Sequence, residues 1–109
     1  ADERRIASAG AGRVIQIRDG QTGRLMRSLT GHTAAVTSLC FFRDGIRLVS
    51  SAWDGTVCIW DTQQGTLLSL AHVPQVSKVQ LTEDESQIIA GTVSGDLILI
   101  SWMRKDFLH

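Results

Sequence analysis

A chain of 109 residues, 43% hydrophobic and 20% charged, has the composition of one globular domain and not of a disordered segment. Eleven basic side chains balance eleven acidic ones, and no run of like charge is longer than Glu83-Asp84-Glu85, so the basic patch that phosphate neutralisation requires is missing and no nucleic-acid partner is evident. No apolar run approaches the roughly 18 residues of a membrane span, and the opening Ala1-Asp2-Glu3-Arg4-Arg5 has none of the character of a signal peptide, which argues against a membrane partner.

Taken in order, the chain reads as short strands at 5–9, 13–18, 24–29, 36–42, 47–52, 56–61, 66–70, 76–82, 87–92 and 96–102, with no helical period between them. Asp19-Gly20, Asp44-Gly45, Asp54-Gly55 and Ser94-Gly95 separate them, each placing glycine where a positive φ is easily reached beside a side chain that can bond the nearby backbone. Pro74 falls between strands, where its missing donor costs little. The stretch 56–61 does not alternate apolar with polar. Val57 and Ile59 point one way and Cys58 and Trp60 the other, so both faces of that strand need a dry neighbour. Cys40 and Cys58 lie in such apolar runs; two cysteines make no disulfide framework, and the expected location is intracellular, in cytoplasm or nucleus.

The chain also repeats. At an offset of 42, Ile6-Ala7-Ser8 falls on Leu48-Val49-Ser50, Ile15 and Ile17 on Val57 and Ile59, and Asp19 and Gly23 on Asp61 and Gly65. At an offset of 40, Gly31-His32 falls on Ala71-His72, Val36, Leu39 and Phe41 on Val76, Val79 and Leu81, and Gly55 on Gly95. A turn of variable length accounts for the difference, and the unit is about 40 residues long.

Gly31-His32, Val36 through Asp44-Gly45, Leu48-Val49-Ser50, Asp54-Gly55 and Ile59-Trp60-Asp61 together resemble one complete WD40 repeat. The resemblance implies an all-β chain, a partial propeller of about two and a half four-stranded blades: residues 1–31 a partial first blade, 32–71 the complete middle blade and 72–109 a partial third. Propellers have about four to eight blades, so closure requires other segments or neighbouring copies. It further implies a buried network in the middle blade, in which Trp60 donates to Ser50, Ser50 meets His32 and the other imidazole nitrogen faces Asp54. The flanking units depart from this set, with Ser8, Gly12 and Arg18 in the first and His72, Ala90, Ser94 and Ile100 in the third.

Serine, histidine and aspartate invite a catalytic reading, but Ser50 inside a strand with its hydroxyl occupied lacks the access and oxyanion donors that acyl transfer needs. We expect no catalytic residues, no cofactor and no metal. Gly10-Ala11-Gly12 lacks the Gly-Lys-Ser/Thr ending of a phosphate loop, the histidines His32, His72 and His109 have no ligand spacing, and Glu83, Asp84 and Glu85 read as a solvated turn. The expected function is a non-enzymatic scaffold that binds proteins or peptides; the alternative is a non-catalytic fragment of a multidomain enzyme whose active site lies elsewhere. Trp53, just before Asp54-Gly55 on a turn that propellers of this kind commonly use for binding, is the candidate protein-binding residue, with Arg13 as a charged rim. Trp102 is expected to pack against the rest of its blade or a partner.

Overall fold

The computed structural model describes residues 5–9 and 13–101. Ten strands follow one another, β1 (Arg5–Ser8), β2 (Ile15–Asp19), β3 (Leu25–Leu29), β4 (Val36–Phe41), β5 (Arg47–Ala52), β6 (Thr56–Asp61), β7 (Thr66–His72), β8 (Val76–Leu81), β9 (Gln87–Thr92) and β10 (Leu97–Ser101), and no helix occurs among the described residues. Among the described residues, antiparallel pairing of sequential strands gives three sheets, β1-β2-β3, β4-β5-β6-β7 and β8-β9-β10, of which the second has four strands. The architecture is all-β, a partial and unclosed propeller. Among the described residues no helix is long and apolar enough to cross a membrane.

The two-faced strand β6 explains how the sheets stack. Val57 and Ile59 join Val49, Val73, Val76, Val79, Ile88 and Ala90 in a cluster between the second and third sheets. On its other face Cys58 and Trp60 join Ile15, Ile17, Leu29 and Leu48 between the first and second. Each interface also carries polar ties. Ser38 Oγ accepts from the Val79 N–H at 3.2 Å, the Arg43 N–H donates to Glu85 Oε2 at 2.7 Å, and Arg27 Nη2 donates to the Gln63 carbonyl at 2.8 Å. The turn of Glu83, Asp84 and Glu85 is exposed at Glu83 and Asp84 but tied to the second sheet: the Arg43 guanidinium donates to the Glu83 carbonyl, the Arg43 N–H to the Glu85 carboxylate, and the Asp84 carboxylate accepts from Ser86 and Thr82 within its own loop.

The described chain ends its stack on an uncovered face. Leu97 of β10 occupies the place that Val57 has in β6, yet Leu97 is 75% exposed and Val57 2%. Burying such a row takes another blade, so closure requires further segments or chains.

β1, β2, β3, β4 and β8 begin or end one or two residues from the bounds read in the sequence, and two further details differ. In the β2–β3 hairpin the positive φ belongs to Gly23 (+74°) and not to Gly20, because the Asp19 carboxylate accepts from the Gln21 and Thr22 N–H groups and delays the tight position by three residues. The Asp61 turn does the same, ending at Gly65 with the same φ. And β7 runs two residues past Leu70 to His72, extended by pairing of Ala71 and His72 with Val57 and Thr56.

Candidate functional site

The turn between β5 and β6 is assembled around one carboxylate. Asp54 Oδ1 accepts the Thr56 N–H at 2.9 Å and the Thr56 hydroxyl, which closes the turn locally as Asx chemistry does. Asp54 Oδ2 accepts the Thr33 N–H at 2.9 Å and lies 2.9 Å from His32 Nδ1, which fastens the turn to the segment entering β4. His32 Nε2 is 2.7 Å from Ser50 Oγ, and Trp60 Nε1 donates to the same hydroxyl at 2.8 Å. One arrangement of protons satisfies the set: the indole donates to Ser50, Ser50 donates to Nε2, and Nδ1–H donates to the ionised Asp54.

Burial makes these bonds consequential. The His32 side chain is 1% exposed, and Ser50 and Trp60 are fully buried. His32 and Trp60 also meet edge to face, ring centroids 6.0 Å apart. Gly31 lies so close beneath the indole that a Cβ there would come 3.1 Å from its Cη2 atom. Burial pushes the Asp54 carboxyl up, but hydrogen bonds from the Thr56 hydroxyl, the Thr33 N–H and His32 outweigh it and hold the group at about 2, against an ordinary 3.8. Burial, with a contribution from the Asp54 charge and against the Thr56 hydrogen bond, raises the Cys58 thiol to about 11. Cys40 and Cys58 are both free.

Four residues named from the sequence, His32, Ser50, Asp54 and Trp60, thus lie within hydrogen-bonding distance of one another. Thr33 and Thr56, which complete the carboxylate's partners, were missed; the signal for Thr56 was a hydroxyl two residues beyond an Asp-Gly turn. Among the described residues the flanking units assemble nothing comparable. Arg18 donates to Gln16 Oε1 and the Gly23 carbonyl, His72 is exposed at the end of β7, and Ser94 bonds Thr92 and Asp96 inside its own turn. Gly10, Ala11, Gly12, Trp102 and His109 lie outside the described residues. Among the described residues no cluster of three His, Cys, Asp or Glu side chains could hold a metal. With Ser50 sealed and both its hydrogen-bonding directions occupied, this constellation cannot deliver a nucleophile to a substrate.

Above the network stands Trp53, 53% exposed, its N–H fixed to the Ala35 carbonyl at 2.9 Å. Val93, the equivalent turn residue of the third sheet, is also exposed and bonds Gln75 O in the same way. The face therefore offers apolar groups on turns whose backbones are tied down. Arg13 is exposed just ahead of β2, and no hydrogen bond or cation–π contact joins it to Trp53.

Comparison with known proteins bears on this arrangement. Residues 23–61 match the family model described as WD domain, G-beta repeat. Periodic tryptophan protein 2 homolog of Schizosaccharomyces pombe is 34% identical over 79 residues, covering 71% of this chain and 9% of that protein. COMPASS component SWD3 of Saccharomyces cerevisiae is 37% identical over 78 residues, 70% of this chain and 25% of that one. The chain thus spans a small part of the curated relatives it matches. Among solved structures, the WD40 beta propeller domain of Doa1 superposes with a TM-score of 0.82 at 24% identity, over 94% of this chain and 34% of that one. The beta-propeller domain of Myceliophteria thermophila Cps50 (Swd1) gives the same score at 26% identity, over 92% and 33%.

Proposed function

This chain is a partial WD40 β-propeller, and from that premise we propose that it is a non-catalytic scaffold that binds proteins or peptides through the turn face carrying Trp53. The observation that carries the reading is a half-exposed indole on a turn whose backbone is anchored from beneath by the Asp54 carboxylate. A large aromatic held rigid loses little entropy on binding, which is why tryptophan is enriched among interface hot spots. Val93 widens the apolar surface, and Arg13 is proposed to contribute charge at its edge. The free thiols Cys40 and Cys58 support an intracellular setting, cytoplasm or nucleus.

The test uses a partner recovered with the intact propeller and measures affinity and unfolding stability for the same variant. Trp53→Ala should weaken binding about tenfold or more, equivalent to about 1.4 kcal/mol, with the fold preserved. Unchanged affinity in a variant of unchanged stability refutes the role given to Trp53. A loss of affinity that tracks the folded fraction assigns Trp53 to structure instead.

A further inference from the structure

We propose that the outer edge of β7 is a second docking site, separate from the Trp53 turn. It takes an extended peptide of a partner protein by strand addition, with apolar side chains at alternate positions lodged in the cleft between the first and second blades and a carboxylate reaching Arg27.

β7 is the outermost strand of the one four-stranded sheet, and among the described residues no strand pairs with its outer side. That blade is complete, so this edge does not await the rest of the ring in the way β10 does. Natural edge strands are usually blunted by charge or proline. The outer strand β3 follows this rule, with Arg24 just before it and Arg27 within it, but Thr66-Leu67-Leu68-Ser69-Leu70-Ala71-His72 has no acidic residue, lysine, arginine or proline.

The hydrogen-bond phase tells which backbone groups are on offer. The Val73 N–H donates to the Gly55 carbonyl at 2.7 Å, and Ala71 and Ser69 stand opposite Val57 and Ile59, so alternation turns the main-chain groups of those residues toward β6. The N–H and C=O of Leu70 and His72 consequently face outward, the template that strand addition uses.

The side chains supply the pocket for alternate residues. Leu70 stands opposite Cys58 and Leu67 opposite Trp60, and both partners belong to the cluster shared with the first sheet, so the two leucines lie on the cleft side of the blade. Cys58 and Trp60 are buried, whereas Leu67 and Leu70 are 47% and 46% exposed along the cleft's outer lip, with Leu68 exposed at the bulge between them. Arg27 spans the same cleft at its hairpin end. Its guanidinium donates to the Gln63 carbonyl, and its Cδ rests where a Cβ on Gly65 would come within 2.7 Å. A cation at the end of an uncharged apolar lip selects an extended segment that pairs leucine-sized side chains with an acidic residue.

The probe is the fluorescein-labelled synthetic peptide Glu-Thr-Leu-Thr-Leu-Thr-Leu-Glu, titrated into the full chain by anisotropy beside a control of the same composition with its leucines contiguous. Saturable binding of the alternating peptide is expected, weakened about tenfold or more by Leu70→Lys and to a lesser degree by Arg27→Ala, and kept in Trp53→Ala. Retention in Trp53→Ala separates this site from the proposed turn face, so either reading can fail alone. Unfolding midpoints accompany each variant, and Leu68→Lys decides if Leu70→Lys does not fold. Absence of binding overturns the proposal, as does equal binding of the two peptides. Loss on Leu99→Lys with retention in Leu70→Lys moves the site to β10 and also overturns it. Self-association of the chain that Leu70→Lys abolishes gives the edge to a second copy and overturns the partner-peptide reading.

Discussion

Replacing Asp54 with alanine removes the acceptor of four donors at once: the N–H groups of Thr33 and Thr56, the Thr56 hydroxyl and His32 Nδ1. Two routes, which share the His32 hydrogen bond and so do not add, give the cost. Holding the carboxyl at about 2 against 3.8 corresponds to about 2 kcal/mol of preference for the ionised form in the folded chain. The carboxylate side chain is 9% exposed but sits on a turn of intermediate exposure, so solvent screening trims this figure. Leaving a buried imidazole N–H short of its acceptor costs about 1–3 kcal/mol on its own account. We therefore expect Asp54→Ala to lose about 2–3 kcal/mol, a fall of roughly 1 M or more in the urea midpoint at unchanged slope. Asp84→Ala, whose carboxylate serves its own exposed loop, should move the midpoint less. Because the folded pKa lies below the unfolded one, the stabilisation is complete above about pH 4 and is lost as pH falls toward 2, so the gap between parent and Asp54→Ala should narrow over that window. Equilibrium urea unfolding followed by circular dichroism, repeated across pH, reads both effects. A midpoint equal to that of the parent, or a gap that does not change with pH, refutes the reasoning.

Trp60→Phe keeps much of the ring but deletes the donor to Ser50, and should cost about 1–2 kcal/mol; combined with Ser50→Ala it should cost less than the sum of the two, which a double-mutant cycle in urea would show. Gly31→Ala, at φ +151° with its Cβ driven against the indole, should lower the midpoint by the equivalent of about 1–3 kcal/mol, measured by the same unfolding curves. Cys58, buried and with its thiol raised to about 11, should react with iodoacetamide under mildly alkaline conditions at least about 100-fold more slowly in the native chain than in urea, as peptide mapping of the alkylated site would record.

Much of the fold is legible because its causes are local. Asp-Gly and Ser-Gly turns interrupt runs of strand-forming residues, and the bounds of β5, β6 and β9 coincide with those read from the sequence. The unalternating run Val57-Cys58-Ile59-Trp60 already requires a sheet covered on both faces, since period-two geometry sends its apolar groups both ways. The repeat names which serine, histidine, aspartate and tryptophan occupy corresponding places in a unit. Sequence spacing cannot say how blades meet. Thr33 reaches Asp54 across 21 residues through the assembly of strands within the middle sheet, and Arg27 reaches Gln63 across 36 through the placement of one sheet against the next. The displaced glycine of the β2–β3 hairpin likewise depends on a side chain choosing its backbone partners, which residue type permits without deciding. Exposure belongs to the same class: Val57 and Leu97 are equivalent in the repeat and in hydropathy, and only the presence of a neighbouring blade buries one and leaves the other open. The strands, their two-sided burial and the repeat are written in the residues themselves, because alternation and turn chemistry act within a few positions. Which polar groups close the network follows from how the strands of the middle sheet come together, and which apolar rows face water follows from how one blade meets the next, because both are contacts between segments distant in the chain.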